Sequence, residues 1–197
     1  DHSTDNPGKI ADRIAKNCKK VRVIHRKGDK GNKKGGVGNS IREGFKNAHG
    51  NYVLYMDCDS HVPTYIPHFF KHRKEADIII GSRFIKGGSA EMPLLRWVAT
   101  GSFNFLLRLL FNFRIKDFTS GYKLYSKKML DRLKLESEGF GIHAETPLKA
   151  LSKGYKIKEI PIHYGKSCKK STLNYKREFL SYIKPVIAAI KTRFLGL

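Results

Sequence analysis

An apolar run that ends in two aspartates constrains the fold of this chain more than any other feature. Residues 51–56 are almost all apolar, which predicts a buried strand. Asp57 and Asp59 follow, so both carboxylates lie at the carboxyl end of that strand. In open α/β sheets ligands bind along this edge, and a pair of oxygen ligands there suits Mg²⁺ or Mn²⁺. The alternative is an ordinary turn opened by two aspartates.

The N-terminal part of the chain alternates between strand-like and helix-like patterns. Helices are predicted at residues 5–18, 37–48 and 65–73, and strands at residues 21–24, 51–56 and 77–80. Asp5 is the expected N-cap of the first helix, with Pro7 in its first turn. Such alternation is typical of an α/β protein and predicts a mostly parallel, Rossmann-like sheet flanked by helices.

The rest of the chain has a different character. We predict a glycine-containing loop at residues 84–92, an unusually apolar helix at 93–114 and a second helix at 144–152. One or two strands follow at residues 155–162, then a lysine-rich loop at 166–170 and an amphipathic tail at 175–194 that is broken at Pro185. We expect one domain, residues 1–172, and a tail, residues 173–197, that packs on the domain or lies close to a membrane.

The charge balance requires an anionic partner. The 197-residue chain has 39 lysines and arginines against 17 aspartates and glutamates, a net charge of +22. Nucleic acid, an acidic membrane surface and a phosphorylated substrate each satisfy this requirement. The sequence has no helix-turn-helix, RNA-binding strand or zinc-finger pattern, so nucleic acid is the least favoured of the three.

The cysteine and hydropathy patterns indicate the cellular compartment in which the protein is expected to work. Cys18, Cys58 and Cys168 are far apart and odd in number, which argues against zinc sites and disulfides and favours a reducing compartment. No run approaches the roughly 18 uninterrupted apolar residues of a membrane-spanning helix, so we expect neither a spanning helix nor a signal peptide. Because the chain opens on Asp1 without a methionine, we expect that an upstream segment is absent.

Basic groups are expected beside the aspartates. The glycine- and lysine-rich loop at residues 27–38 precedes a predicted helix, where backbone N–H groups can hold a phosphate; a solvated loop is the alternative. Arg83 follows a predicted strand and so projects at the same sheet edge as Asp57, where it could clamp a phosphate. Arg96 could reach the same cleft, although a surface ion pair is the simpler interpretation of either arginine.

Other features are open to two interpretations. Asp117 begins a DFTSGY loop that could orient a sugar or simply reverse the chain. Glu145 could carry chemistry or cap a helix. His61 is a candidate third metal ligand or a surface residue. The apolar helix at residues 93–114 belongs to the core or to a membrane interface, and its arginines favour the interface.

Taken together, these segments resemble the GT-A-fold glycosyltransferases of family 2, and within them the dolichol-phosphate (polyprenyl-phosphate) mannose synthases. The matching motifs occur in the family's order and cover nearly the whole chain: DHSTD at residues 1–5, KGGVGN at 34–39, DCD at 57–59, GSRF at 81–84, Arg96, DFTSGY at 117–122, Glu145 and GYKIKEIP at 154–161. Each motif alone is weak, whereas the ordered set is specific for the superfamily.

The chain departs from the family pattern at several positions. The family's first strand would precede Asp1, so we expect the N-terminal part of the domain to be incomplete. His61 stands in place of a glutamine and Thr100 in place of a serine. The motif KSCKKST at residues 166–172 replaces an Arg-x-x-Gly-x-Ser-Lys motif, which puts closure over the donor diphosphate in question.

The resemblance implies an enzyme that transfers a hexose, with mannose favoured, from GDP-mannose or UDP-glucose to a polyprenyl or dolichyl phosphate with inversion. The implied catalytic residues are Asp57, Asp59, Arg83 and Arg96, and the implied ligands of Mg²⁺ or Mn²⁺ are Asp57, Asp59 and His61. The resemblance implies that the nucleotide sugar is bound by Asp1, Lys34, Gly35, Asp57 and Lys166. It implies that the acceptor is bound by Arg83, Arg96, Thr100 and Lys123. A phosphate acceptor has a second pKa of about 6 and needs no strong base.

The expected location is the cytoplasmic face of a membrane, with peripheral binding to anionic lipids and a possible membrane-anchoring subunit.

Three alternatives to this function remain. A family 2 transferase with a sugar or protein hydroxyl acceptor would need a base, for which Asp117 and Glu145 are the candidates. A nucleic-acid-binding module would bind random DNA with a steep salt dependence. The third alternative is an inactive fragment with an intact fold.

Overall fold

A segment with three consecutive isoleucines forms an interior strand of a four-stranded sheet. The computed structural model describes residues 6–26, 36–58, 61–111, 114–165 and 175–191. Its strands are β1 Tyr52–Tyr55, β2 Ile78–Ser82, β3 Ser89–Ala90, β4 Lys123–Ser126, β5 Ile157–Pro161 and β6 His163–Tyr164. Its helices are α1 Pro7–Asn17, α2 Val37–Asn47, α3 Ile66–Lys71, α4 Leu94–Phe111, α5 Lys127–Leu130, α6 Ile142–Ser152 and α7 Tyr175–Ile190, with a 3₁₀ turn at Pro63–Tyr65.

The main sheet has the strand order β1-β4-β2-β5. Strand β4 runs antiparallel to β1 and β2, whereas β2 runs parallel to β5, so β1, β2 and β5 all point the same way. A separate parallel pair joins β3 to β6. The α/β class is confirmed. The antiparallel strand β4 was not predicted, because its KLYS sequence is short and half polar.

The strand predicted at residues 21–24 is wrong. This segment is irregular, with Val21 and Ile24 38% and 42% exposed. A strand needs partners for its backbone groups, and no ladder in the described part of the chain includes this segment. The preceding helix α1 has no buried residue, and Asn6 occupies its N-cap position. The predicted cap, Asp5, lies outside the described residues.

The sheet separates two apolar clusters. Ile78 and Ile80 point to one side, where the cluster includes Leu107 of α4. Ile79 points to the other side, where the cluster includes Phe69 of α3. Successive side chains of a strand face opposite sides, so β2 contributes buried isoleucines to the clusters on both faces of the sheet. The result is a rigid layer whose carboxyl-terminal edge carries the predicted site.

Two glycines of the predicted phosphate loop allow a close backbone approach. A Cβ on Gly36 would lie 2.2 Å from the Glu138 carbonyl oxygen, and one on Gly38 would lie 2.3 Å from the Ser137 carbonyl oxygen. The Gly38 amide donates to the Glu138 carbonyl at 2.8 Å. The backbone would have to move to accept any larger residue at either position, so part of the glycine pattern reflects packing.

Helix α4 has one buried and one exposed face. Asn104, Leu107 and Phe111 are buried. The exposed large apolar side chains of α4 are Leu94, Leu95, Trp97, Val98, Phe105, Leu106 and Leu109. By length and composition alone, α4 could cross a membrane, and 17% of it is buried in the protein. This corrects the expectation that no such helix exists, which counted uninterrupted apolar residues and so was stopped by the arginines.

Helix α7 continues through Pro185, contrary to the predicted break. The Gly141 amide at the start of α6 donates to the Ser181 hydroxyl at 3.1 Å, and the rings of Tyr182 and Phe103 of α4 meet edge to face at 5.1 Å. Proline removes the donor for the carbonyl four residues earlier. That carbonyl, of Ser181, abuts Gly141, where a Cβ would approach it to 2.0 Å. Packing on the domain therefore holds α7; the predicted boundary at residue 172 lies outside the described residues.

Candidate active site

Asp57 follows β1, and contacts on both sides hold its carboxylate. The hydroxyl of Tyr55, two residues earlier, donates to Oδ1 at 2.6 Å. Burial, then the charge of Asp57, raise the pKa of Tyr55 well above 10, so the hydroxyl stays a donor. On the other side the backbone of Gly121 approaches Oδ2 so closely that a Cβ there would lie 2.5 Å away. The side chain of Asp57 is held in one orientation while 28% of it remains exposed.

His61 folds back against Asp57 and is enclosed by aromatic rings. Its Nδ1 accepts the Asp57 amide N–H at 3.0 Å and lies 3.8 Å from Oδ2. The imidazole packs against the rings of Tyr122 and Tyr164, with centroids 4.8 and 5.2 Å away, and the side chain has no exposed surface. A metal ligand must offer the ion a nitrogen lone pair. The lone pair on Nδ1 is already used, and in the neutral ring Nε2 then carries the proton and is enclosed, so this geometry argues against His61 as the third metal ligand.

The predicted metal site is only partly within the described residues, where no three histidine, cysteine or carboxylate side chains cluster. Asp57 is described and partly exposed, whereas Asp59 lies outside the described residues. Mg²⁺ typically takes one or two carboxylates from a protein and completes its shell with waters and substrate phosphates. The fixed carboxylate of Asp57 fits a site of that kind.

A buried ion pair lies at the end of β2. Arg83 donates from Nε and Nη2 to the two carboxylate oxygens of Asp117, both at 2.8 Å, and from its amide at 3.0 Å. Nη2 also donates to the Thr119 hydroxyl at 2.9 Å. Burial alone would raise the pKa of Asp117, but the charge and hydrogen bonds of Arg83 outweigh it and hold that pKa below its ordinary value. Arg83 is thus a fixed cation, and its Nη1 has no protein acceptor among the described residues.

The loop that carries Asp117 is anchored by two neighbouring elements. Glu159 of β5 accepts the amides of Lys116 and Asp117, each at 2.9 Å. Asn104 of α4 accepts the amide of Phe118 at 2.9 Å. The loop is therefore more than a chain reversal, because side chains from a strand and a helix fix its backbone.

Lys123 anchors the same loop from inside the protein. Its ammonium group donates to the carbonyls of Phe118, Ser120 and His143. The residue is 0% exposed, and burial lowers its pKa to about 7. An ammonium group has three donors, and all are used within the protein. The predicted contact between Lys123 and an acceptor phosphate does not fit this geometry.

Arg96 lies in the first turn of α4 and has no carboxylate partner among the described residues. Its guanidinium carbon lies 5.9 Å from the ring centroid of Tyr164, and that of Arg83 lies 5.6 Å from the same centroid. Thr100, one turn later on α4, is partly buried. Arg83 and Arg96 therefore share one aromatic ring, and His61 connects that ring to Asp57.

Glu145 serves the fold. Its carboxylate accepts the amides of Glu136 and Ser137, both at 2.8 Å, and pairs with Lys149 at 2.7 Å. It is 2% exposed and lies in the first turn of α6, where it fastens the preceding loop. Neither it nor Asp117 presents a free carboxylate, so neither candidate base is available as one.

Asp57, Arg83 and Arg96 are thus linked through His61, which contacts Asp57, and Tyr164, whose ring contacts His61 and both arginines. The predicted donor-binding residues outside the described part of the chain are Asp1, Lys34, Gly35 and Lys166. Sequence reasoning missed Tyr55, Gly121 and Tyr164. Tyr55 had a usable signal, because residues two apart on a strand face the same side. Gly121 and Tyr164 act through contacts between distant segments, which no local pattern reveals.

Solved structures with the same architecture define the class. Glucosyl-3-phosphoglycerate synthase from Mycobacterium tuberculosis, in complex with Mn²⁺, UDP and phosphoglyceric acid, matches with a TM-score of 0.67 at 13% identity over 95% of this chain and 64% of that one. Its complex with Mn²⁺, UDP-glucose and phosphoglyceric acid gives a TM-score of 0.70. At this identity the likeness shows the fold, a mixed α/β fold of the GT-A class.

Sequence comparison gives the family. Residues 1–134 match the profile described as Glycosyl transferase family 2, and the chain belongs to that family. An undecaprenyl-phosphate mannosyltransferase of Micrococcus luteus is 28% identical over 172 residues, and a polyprenol monophosphomannose synthase of Mycolicibacterium smegmatis is 31% identical over 174 residues. Each alignment covers 83% of this chain, and the chain spans 69% and 64% of the two relatives. The family resemblance seen in the motifs is confirmed.

Proposed function

We propose that this protein transfers mannose, with inversion, from GDP-mannose to a polyprenyl phosphate. The names of two relatives, a mannosyltransferase for undecaprenyl phosphate and a polyprenol monophosphomannose synthase, support this substrate pair. The observation that carries the proposal is the grouping of a fixed carboxylate, Asp57, and two arginines around the contact between His61 and Tyr164. A carboxylate for a metal-bound donor and cations for an anionic acceptor are what this reaction requires.

On the donor side, Asp57 and Asp59 would hold Mg²⁺ or Mn²⁺. When bound, such an ion neutralises the diphosphate leaving group as a Lewis acid. The Mycobacterium tuberculosis neighbour is described with Mn²⁺ and UDP, which supports a divalent ion and a nucleotide donor here. This chain contributes orientation, since Tyr55 and Gly121 restrict the carboxylate of Asp57. The remaining predicted donor contacts are Asp1, Lys34, Gly35 and Lys166.

On the acceptor side, Arg96 and the Nη1 atom of Arg83 would bind the lipid phosphate, with Thr100 on the same helix. A phosphate monoester at neutral pH has lost most of its second proton, so it can attack without a general base. The difficulty is to bring this anion to a sugar that carries a diphosphate. Fixed guanidinium groups lower that repulsion and position the attacking oxygen. Because Asp117 neutralises Arg83, Arg96 supplies most of the uncompensated charge.

A hydroxyl acceptor, on a sugar or a protein, has less support. Such an acceptor must lose a proton, which calls for a positioned base. Asp117 is 0% exposed and bound to Arg83, and Glu145 is 2% exposed and bound to two amides. Both candidate bases are occupied, so the geometry favours an acceptor that arrives as an anion.

We also propose that the protein acts at the cytoplasmic face of a membrane as a peripheral protein. Arg96 is flanked on α4 by Leu94, Leu95 and Val98, which are 75%, 78% and 47% exposed. A polyprenyl tail needs an apolar path next to its phosphate, and a net charge of +22 favours anionic lipids. A membrane-anchoring subunit is a further proposed partner.

Product analysis tests the proposed reaction. The chain is incubated with Mn²⁺, a short polyprenyl phosphate and radiolabelled GDP-mannose or UDP-glucose, and the lipid fraction is analysed by chromatography and mass spectrometry. We expect a mannosyl phosphoprenol from GDP-mannose and much less product from UDP-glucose. Transfer to an unphosphorylated polyprenol at the same rate, or transfer from UDP-glucose alone, would overturn the proposal.

A further inference from the structure

One aromatic ring contacts both halves of the proposed site. Tyr164 in β6 is 8% exposed, and its ring meets the His61 ring edge on, with centroids 5.2 Å apart. The same ring centroid lies 5.6 Å from the guanidinium carbon of Arg83 and 5.9 Å from that of Arg96. The Glu91 amide donates to the Tyr164 carbonyl at 2.8 Å, so the backbone under the ring is fixed by the β3–β6 pair.

The two guanidinium groups on this ring are held in different ways. Arg83 is fixed by its two-pronged bond to Asp117, which does not depend on the ring. Arg96 has neither a hydrogen bond nor an ion pair within the described residues, and its described contact is the face of Tyr164. A guanidinium within about 6 Å of an aromatic centroid is attracted by the negative face of the ring. The position of Arg96 therefore depends on Tyr164, whereas that of Arg83 does not.

The charge balance explains how one ring can serve two cations. Asp117 lies 2.8 Å from Arg83 and compensates its charge within the same buried pair. The repulsion between Arg83 and Arg96 is reduced accordingly. Arg96 is left as the group whose hydrogen-bond donors are free to meet an anion, at a place set by the ring.

We propose that Tyr164 is a positioning residue that holds Arg96 beside Arg83 for the acceptor phosphate. The inference rests on the proposed function, because it assigns Arg96 to acceptor binding. Tyr164 acts through Arg96 and touches neither substrate in this assignment. Its ring also packs against His61, which accepts the Asp57 amide, so the acceptor side lies next to Asp57.

A double-mutant cycle tests this role in the full chain. Tyr164→Leu should raise the KM for a short polyprenyl phosphate about two- to thirtyfold and leave the KM for GDP-mannose unchanged. This range follows from the energies of cation–π contacts, since about 1.4 kcal/mol corresponds to a tenfold change. In an Arg96→Ala background the same substitution should change nothing further, since Arg96 is then absent and Arg83 is held by Asp117. Tyr164→Phe keeps the aromatic face and should behave like the wild type. Additive effects of Tyr164→Leu and Arg96→Ala, or a Tyr164→Phe variant as weak as Tyr164→Leu, would overturn the inference.

A matched control separates positioning from a general loss of packing. Tyr155 is a partly buried tyrosine that packs against the cluster containing Ile78 and Leu107, so Tyr155→Leu should leave the acceptor KM unchanged while costing comparable stability. An equal rise of acceptor KM in Tyr155→Leu would show that the effect is not specific to Tyr164. If Tyr164→Leu does not fold, Tyr164→Met takes its place, because methionine fills irregular gaps without an aromatic face.

A second measurement does not depend on catalysis. The Nε–Hε signal of Arg96 is followed by NMR, and we expect it to be displaced by the ring current and restricted in motion in the wild type. In Tyr164→Leu it should lose both properties while the Arg83 signal keeps its position. An Arg96 signal that is mobile in the wild type, or unchanged in Tyr164→Leu, would contradict the inference. Release of Arg96 in the variant, together with a wild type that transfers no mannose, would support the positioning role and overturn the proposed function.

Discussion

At the residue scale, the chemistry of Asp57 depends on a neighbour that has no side chain. Gly121 follows the buried loop of Asp117, and its backbone leaves no room for a Cβ beside the Asp57 carboxylate. The sequence predicted Asp57, Arg83 and Arg96 as site residues but not which contacts hold each of them. The partner of Arg83 is 34 positions away, and residues so far apart are brought together only by the fold.

Gly121→Ala should impair the metal-dependent reaction, because the added Cβ would lie 2.5 Å from Oδ2 of Asp57 and turn the carboxylate. We expect turnover to fall about 10- to 100-fold, as when contacts that support a metal ligand are lost. Gly44→Ala is the matched control. No atom lies within 4 Å of its added Cβ in α2, so activity should stay and stability should rise by up to about 1 kcal/mol. Equal activity of Gly121→Ala and the wild type would contradict the role given to this contact.

Lys123 should give the stability of the protein a recognisable pH dependence. Burial lowers its pKa from 10.5 to about 7, so between these values the unfolded chain binds more protons than the folded chain. The free energy of unfolding should therefore rise with pH across this window, by at most about 1.4 kcal/mol per pH unit, and fall as the pH drops towards 7. Urea denaturation at several pH values checks this, and Lys123→Met should remove the rise. The same slope in both proteins would show that Lys123 is not the cause.

At the scale of elements, the strands that could be predicted from the sequence were those with long, continuous apolar runs. Strands β1 and β2 were both predicted from continuous apolar runs; β2 is buried as such a run predicts, whereas β1 is only partly buried. The place of β4 between them depends on pairings such as Tyr52 with Ser126 and Ile78 with Tyr125, which join distant segments. In the same way, α7 passes Pro185 because α6 packs against it, and no pattern within α7 shows this.

Substitutions on the exposed face of α4 should weaken membrane binding and leave the fold intact. Leu95 and Leu109 are 78% and 70% exposed, so replacing both by serine removes little packing. Each buried leucine contributes roughly 1.5–3 kcal/mol, and we expect affinity for vesicles of anionic phospholipid to fall at least tenfold. Flotation with vesicles measures this, and Ile14→Ser, at a 51% exposed position of α1, is the control. Unchanged flotation of the Leu95→Ser, Leu109→Ser variant would remove α4 from the proposed membrane surface.

At the scale of the whole molecule, the excess positive charge and the exposed apolar side chains of α4 both fit the proposed peripheral binding to a membrane. A peripheral membrane protein combines apolar burial with attraction to anionic lipids. Composition predicted an anionic partner, since the net charge is +22. It could not choose among the possible partners, because the membrane proposal depends on Arg96, which lies beside exposed leucines on α4 and shares the Tyr164 ring with Arg83, the residue after β2.

The most direct test of the account is calorimetric titration of the protein with GDP-mannose, with and without Mn²⁺, in the wild type, Asp57→Ala and Arg96→Ala. The wild type should bind GDP-mannose tightly only with Mn²⁺. Asp57→Ala should lose that metal dependence, whereas Arg96→Ala, altered on the acceptor side, should keep it. Mn²⁺-dependent binding that is unchanged in Asp57→Ala would contradict the central claim that this carboxylate holds the metal-bound donor.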